Sequence, residues 1–347
     1  MIDRFVLPLL LGAAILQPAG ARADTVITPE EQKKVIETFS TTFKQRYVFP
    51  DLAQKAADIL QQHLANHDYD SVTDGAAFGK MLTAQVHDVC HDAHVHFTFS
   101  PDPLPERVHQ EQPTPEEIKR QKNQMKALNG GYEHVDRLAG NIGYLEVRSF
   151  EDAEAAKAPL EGAMEFLQNT DALILDLRRN GGGDPRAVAM LLSYFFEPST
   201  HLNDFVDGTG KVQETSWTSA RVHGAKYLKL IYVLVSKRTG SGAEECAYDI
   251  QSLKRGQVFG TSTWGGANPG TFYRLDNHYM AFIPSLQARN PYTHKNWEGT
   301  GVQPDVSVEG DAQRSAYETA LKELLTKASD RDQKQRLEMA LKEVTSG

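Results

Sequence analysis

Ser241 stands in the run Ser236-Lys237-Arg238-Thr239-Gly240-Ser241-Gly242-Ala243-Glu244-Glu245. The apolar stretch Leu230 to Val235 before it reads as a strand, and Ala243 to Leu253 after it reads as a helix. A serine hydroxyl becomes a nucleophile when a base takes its proton and N–H groups receive the charge that develops on the attacked carbonyl. Small residues on both sides, at a strand-to-helix turn, leave the hydroxyl accessible and set free backbone N–H groups beside it. Gly-Ser-Gly is also an ordinary turn. The partners that the rest of the chain offers therefore decide the reading.

Three other stretches offer such partners. Asp176-Leu177-Arg178-Arg179-Asn180-Gly181-Gly182-Gly183 ends one strand and precedes a helix, where glycines let the backbone approach a ligand and aim N–H groups at negative charge. It has neither the Gly-Lys-Ser/Thr of a P-loop nor a G-x-G-x-x-G fingerprint, so an oxyanion hole competes with a plain flexible turn. His87, Cys90, His91, Asp92, His94 and His96 crowd a second stretch. Histidine is the usual base for serine. The same residues also admit a metal reading, with His87 and His91 at i, i+4 on one helix face and Cys90 or Asp92 as a further ligand. No H-E-x-x-H order supports that reading. The fourth stretch, Asn296-Trp297-Glu298-Gly299-Thr300-Gly301, places an acid beside a bulky aromatic, as orienting a histidine requires.

The elements around these residues follow from periodicity. Thr28-Pro29-Glu30-Glu31 is a capping box, and Val35, Phe39, Phe43 and Tyr47 recur every four residues, predicting a helix over 29–46. Further helices are expected over 51–65 and 74–90, and a strand where Val95, Phe97 and Phe99 alternate with polar residues. The polar stretch 101–130 reads as a connector with one exposed helix. From Asn141 strands (Ile142–Val147, Ala172–Leu177, Leu230–Val235) alternate with helices (153–169, 184–196, 243–254), the order of an α/β core. A hairpin is expected at Asp276-Asn277, and amphipathic helices over 312–327 and 330–343. The expected domains are a helical subdomain at 24–100, the connector at 101–130, a core at 131–310 and C-terminal helices at 311–347.

The first residues have a different grammar. Arg4, an apolar run from Phe5 to Leu16 and Ala21-Arg22-Ala23 form the layout of a secretory signal peptide over 1–23, too short in its apolar part to span a bilayer. The expected compartment is periplasmic or extracellular, with no membrane span after cleavage. The formal charge of -9 argues against nucleic acid or anionic lipid as a partner. Two cysteines, Cys90 and Cys246, do not make a disulfide scaffold, and buried free thiols are expected.

Taken together and in order, these stretches resemble the tail-specific protease family, the S41 serine peptidases. The resemblance is to the branch of proteins like the interphotoreceptor retinoid-binding protein and the tricorn core protease. It runs from Tyr47-Val48-Phe49-Pro50 to Pro304-Asp305, and Gly140-Asn141-Ile142-Gly143-Tyr144-Leu145 adds to the motifs above. It implies a crotonase/ClpP-like β-α spiral core with an N-terminal helical subdomain. It implies Ser241 as nucleophile, His94 as base, Glu298 as the carboxylate of the relay, and the N–H groups of Gly242 and Gly182 (or a neighbouring glycine) as oxyanion donors. Peptide or protein substrates and no cofactor go with this. A second branch of the family uses a Ser–Lys dyad with the lysine in a T-F-G-K-like turn. Here that turn is Thr263-Trp264-Gly265-Gly266, with glycine at the lysine's place, and no lysine lies between Lys254 and Lys295. The connector is also too short for the PDZ module of that branch. The competing expectation is a non-catalytic carrier of lipophilic ligands on the same fold. Two further expectations follow from a Ser–His pair. Cys90 and Cys246 should lie close in space, and activity should fall as pH drops through ~6.5, the ordinary titration of histidine.

Overall fold

The computed structural model describes residues 26–104 and 115–346. The signal-like segment 1–23 and the stretch 105–114 of the connector lie outside the described residues. The chain forms two compact units. The first takes its residues from the N-terminal part up to Gln112, with Phe205–Glu214 and Asn268–Ala288; the second takes Pro113–Asp204, Thr215–Ala267 and Arg289–Gly347.

The first unit is built on helices Pro29–Arg46, Pro50–Ala65 and Gly75–Cys90. The capping box at Thr28 is present: the Thr28 side chain accepts from the Glu31 N–H, and the Glu31 carboxylate accepts from the Thr28 N–H. The apolar faces meet in one core that includes Phe39, Phe43, Leu60, Phe78, Phe97 and Tyr279. The short strand His96–Phe99 cannot bury its backbone polar groups alone. It pairs antiparallel with Tyr279–Pro284, which pairs with Gly270–Arg274. The hairpin expected at Asp276-Asn277 is the turn between those two strands. Sequence order had assigned it to the 131–310 core. Strand pairing moves it, because Phe97 lies opposite Ala281, and Ala281 and Ile283 are fully buried among the helices of this unit.

The second unit holds a six-stranded sheet. Its order is Val306–Ser307, Gln257–Gly260, Leu230–Val235, Ala172–Asp176, Ile142–Val147, Tyr132–Leu138. The first five strands run parallel and the last is antiparallel. Ile142–Val147, Ala172–Asp176 and most of Leu230–Val235 are buried on both faces, which explains their continuous apolar runs. Helices Ala312–Lys327 and Arg331–Ser346 belong to this unit and cover one sheet face through Leu321, Leu324, Leu337 and Ala340, against Ile142, Ile174, Tyr232 and Phe259. The expectation of separate C-terminal helices gives way to their role as a layer of the core. Helices Ala153–Leu167, Pro185–Leu192 and Gly242–Ser252 also lie in this unit. Strand Tyr132–Leu138 went unread in the sequence because five of its seven residues are exposed and give no apolar alternation.

Among the described residues no helix is long and apolar enough to cross a membrane. Cys90 and Cys246 are buried free thiols. Burial pushes the Cys90 thiol up to about 12 and the Cys246 thiol well above its ordinary value, so neither is poised as a nucleophile.

The sheet's packing carries a direct test. Leu175 lies on a central strand with no exposed surface, whereas Leu228 is 59% exposed. Leu175→Ala should destabilise the second unit by about 2–5 kcal/mol, and Leu228→Ala should change its stability by less than about 0.5 kcal/mol. Urea unfolding followed by circular dichroism distinguishes the two.

Candidate active site

Ser241 has φ 49° and ψ -120°, a conformation that L side chains rarely adopt. It is the residue between the strand Leu230–Val235 with its turn and the helix Gly242–Ser252. A residue held there costs of order 1–3 kcal/mol and persists only where its surroundings over-determine it. The surroundings can be named. Thr239 Oγ1 donates to Leu177 O at 2.8 Å, Ser236 Oγ donates to Arg178 O at 2.6 Å, and the Gly240 N–H donates to Asn180 O at 3.0 Å. These bonds join the turn before Ser241 to the turn after the neighbouring parallel strand. Both turns leave the carboxyl ends of adjacent strands, where ligands of parallel sheets are bound.

The triple glycine is thereby laid against the serine. A Cβ at Gly182 would lie 2.7 Å from Ser241 Cβ and 2.8 Å from Gly242 N, and Gly182 has φ +108°, so glycine is required here on both counts. The Gly182 N–H itself donates to Asn180 Oδ1 at 2.8 Å. An oxyanion at Ser241 would compete with Asn180 for that proton. The nitrogen of Gly183 lies 3.2 Å from where a Cβ of Gly242 would be, which places a second glycine N–H beside the helix start.

Glu244 is the residue that the sequence reading passed over. Its carboxylate has no exposed surface. Oε2 accepts from the Ser241 N–H at 2.8 Å and the Gly266 N–H at 3.0 Å. Oε1 accepts from the Gly265 N–H at 2.6 Å and from the Thr263 hydroxyl. Burial pushes this carboxyl above its ordinary range, against the pull of the four donors. One side chain thus holds the strained serine and the turn Thr263–Gly266 together. The available signal was a capping-box spacing, a serine followed three residues later by glutamate at a helix start.

Glu298 lies one step further along the same network. Its Oε2 accepts from the Ala267 N–H at 2.6 Å, and its N–H donates to Asn296 Oδ1 at 3.1 Å. Trp297 beside it is buried and donates through Nε1 to Gly266 O at 2.8 Å. The second unit therefore brings together Ser241, Gly242 and Gly182, and ties the backbone that holds Glu298 to the turn that Glu244 holds.

His94 belongs to the first unit. Asp92 Oδ1 accepts from the His94 N–H at 3.0 Å, while Asp92 Oδ2 accepts from Tyr47 Oη at 3.0 Å and Asn268 Nδ2 at 3.2 Å. The imidazole packs against Phe282, with ring centroids 5.6 Å apart. Burial, with a smaller contribution from His96, pushes His94 down to about 4. An imidazole held in this way titrates below the ordinary ~6.5. A buried imidazole is neutral, and so able to accept a proton, well below the usual histidine range. The alternative ligand set loses its geometry. His91 leaves the helix in a left-handed conformation at its C-cap, and His87 Nε2 lies 2.6 Å from Val95 O. Among the described residues, His87, Cys90 and His91 belong to no group of His, Cys, Asp or Glu side chains close enough to share a metal ion.

A strained serine between a strand and a helix, with glycine N–H groups against it, has the local geometry of a nucleophile elbow. The comparisons with known proteins then name the family. Residues 141–308 match the family described as Peptidase family S41, and residues 21–130 match the N-terminal domain of Peptidase_S41 in eukaryotic IRBP. The chain belongs to peptidase family S41. It is 26% identical over 180 residues to a carboxy-terminal-processing protease of Bartonella bacilliformis, covering 50% of this chain and 40% of that protein. It is 28% identical over 141 residues to a tail-specific protease of Haemophilus influenzae, covering 38% of this chain and 18% of that protein. The chain thus spans well under half the length of these relatives. The solved photosystem II D1 C-terminal processing protease shares the fold, with a TM-score of 0.50 and 15% identity over 82% of this chain and 94% of that one.

Glu244→Gln keeps the shape but turns an NH2 group toward two of the donors. It should lower stability by about 2–4 kcal/mol and slow labelling of Ser241 by a fluorophosphonate at least about tenfold. Thermal unfolding and gel-based labelling read the two effects. Full stability with full labelling would show that the clamp does not hold the serine.

Proposed function

We propose that the protein is a serine peptidase that hydrolyses peptide bonds through Ser241, His94 and Glu298. The observation that carries this reading is the strained backbone of Ser241 at the strand-to-helix elbow with the glycines of 182–183 against it. Strain of this kind is kept where the hydroxyl must be presented. The S41 membership agrees with it. The activity itself is assigned here by that argument, since the relatives are matched over only part of their length.

In the proposed reaction Ser241 Oγ attacks the substrate carbonyl carbon and gives its proton to His94. The tetrahedral oxyanion is held by the N–H of Gly242 and by that of Gly182, released from Asn180, or of its neighbour Gly183. Glu298 orients the imidazole and balances its positive charge. His94 then protonates the leaving amine as the C–N bond breaks. A water molecule then gives a proton to His94 and attacks the acyl carbon, and His94 returns that proton to Ser241 Oγ as the ester C–O bond breaks. None of these steps calls for a cofactor. With 1–23 read as an export signal, the substrates are peptides or proteins of the periplasm or the exterior.

Ser241→Ala should abolish fluorophosphonate labelling and lower peptide turnover by about three orders of magnitude or more, with the fold intact. Glu298→Gln should lower kcat by about two to four orders with KM little changed, because the lost stabilisation exists mainly in the transition state. Lys254→Ala and Lys295→Ala should stay near wild type. Labelling that persists in Ser241→Ala removes the nucleophile assignment, and a dead lysine variant beside an active Glu298→Gln would replace the relay by a displaced dyad.

The pH dependence follows from the burial of His94. The base stays neutral until pH approaches about 4, so the acid limb of kcat/KM should lie nearer 4 than 6.5. For stability the sign is fixed by linkage. Below 6.5 the unfolded chain takes up a proton that the folded state refuses, so stability falls as pH drops from 6.5 toward 4 and this contribution is flat below. His94→Gln should remove that component. Stopped assays across pH 3.5–8, with melting curves in parallel, check both.

A further inference from the structure

Trp264 is 46% exposed, although the backbone that carries it is fixed on both sides. The Trp264 N–H donates to Thr239 O at 3.0 Å, and the flanking Thr263 hydroxyl and Gly265 N–H both donate to the buried Glu244 carboxylate. The ring lies against Gly240, the residue before the nucleophile: a Cβ on Gly240 would meet Trp264 Cε3 at 3.1 Å and Cδ2 at 3.7 Å, with Gly181 O at 3.4 Å. Gly240 is not among the positive-φ residues, so its backbone conformation does not require glycine. A Cβ there would press on the indole, which would have to shift slightly to admit it. The fold thus keeps a large apolar surface partly in water, against the residue beside Ser241.

We propose that the Trp264 indole is the wall of the substrate subsite next to the scissile bond, and that it selects peptides with a large apolar side chain, aromatic or branched aliphatic, at that position. The inference rests on the reading of Ser241 as nucleophile. A substrate carbonyl over Ser241, with its oxygen toward the N–H of Gly242, brings the side chain of the adjoining residue to the surface around Gly240. An indole face there gains dispersion and apolar burial from a benzyl or isobutyl group and nothing from a methyl group. A carboxylate would lose water without receiving a donor from the ring face. A wall of this kind discriminates by about tenfold to a hundredfold.

The test uses the full-length mature protein and a series of diphenyl aminoalkyl-phosphonates that differ only in side chain: benzyl, isobutyl, methyl and carboxyethyl. Second-order rates of covalent labelling of Ser241 are measured and expressed, for each protein, as ratios to the methyl compound. The wild type should favour benzyl and isobutyl by about tenfold or more over methyl, and disfavour carboxyethyl. Trp264→Ala should bring all four ratios near unity, and Trp264→Phe should restore most of the preference. A flat series in the wild type, or a preference that survives in Trp264→Ala, overturns the inference while leaving the nucleophile in place. A folded wild type that a plain fluorophosphonate does not label overturns the serine reading itself, and the wall with it.

Discussion

The buried carboxylate of Glu244 is the interaction on which the rest of the site depends. A serine at φ 49° would relax if its own N–H were left to find a partner elsewhere. Glu244 receives that N–H together with three donors from the turn Thr263–Gly266. Four donors on one buried anion make the arrangement cooperative: moving the serine or the turn leaves a buried charge under-satisfied, which costs more than the strain it would relieve. The turn in turn carries Trp264, the Gly266 carbonyl that receives Trp297, and the Ala267 N–H that receives Glu298.

The sheet supplies the second constraint. Parallel strands Ala172–Asp176 and Leu230–Val235 are adjacent, so the turns that follow them emerge side by side. That adjacency lets the triple glycine come within van der Waals distance of the serine. The helix that begins at Gly242 is itself unusual. Besides Glu244 it buries Glu245 and Asp249, and the Asn203 amide lies 3.2–3.3 Å from both of those carboxylates. Burial and the nearness of Glu245 push the Asp249 carboxyl well above its ordinary range.

His94 illustrates how packing retunes a group whose chemistry is legible in the sequence. Its type fits a base, but loss of water, with a smaller contribution from His96, holds it below the ordinary histidine range. The same desolvation that lowers its pKa keeps the imidazole in the form that accepts a proton. Asp92, held by Tyr47, Asn268 and the His94 N–H, fixes the backbone there from inside the first unit.

Local signals in the sequence were enough for the helices, the parallel strands, the Thr28 cap, the hairpin turn at Asp276-Asn277 and the serine elbow, because each depends on residues within a few positions of one another. Those signals and the order of four motifs also carried the family. Other features depended on pairing between residues far apart, and no local pattern reports that. Residues 268–288 joined the N-terminal helices because strand His96–Phe99 needed an antiparallel partner. The C-terminal helices became a layer of the core because the sheet had an apolar face to cover. Strand Tyr132–Leu138, exposed over most of its length, was settled by its neighbour's hydrogen bonds rather than by its own composition. Glu244 read as an ordinary helix-start glutamate until the fold brought Gly265, Gly266 and Thr263, some twenty residues away, onto its carboxylate. The residue types are written locally, but burial and the partners that it brings determine what each of them does.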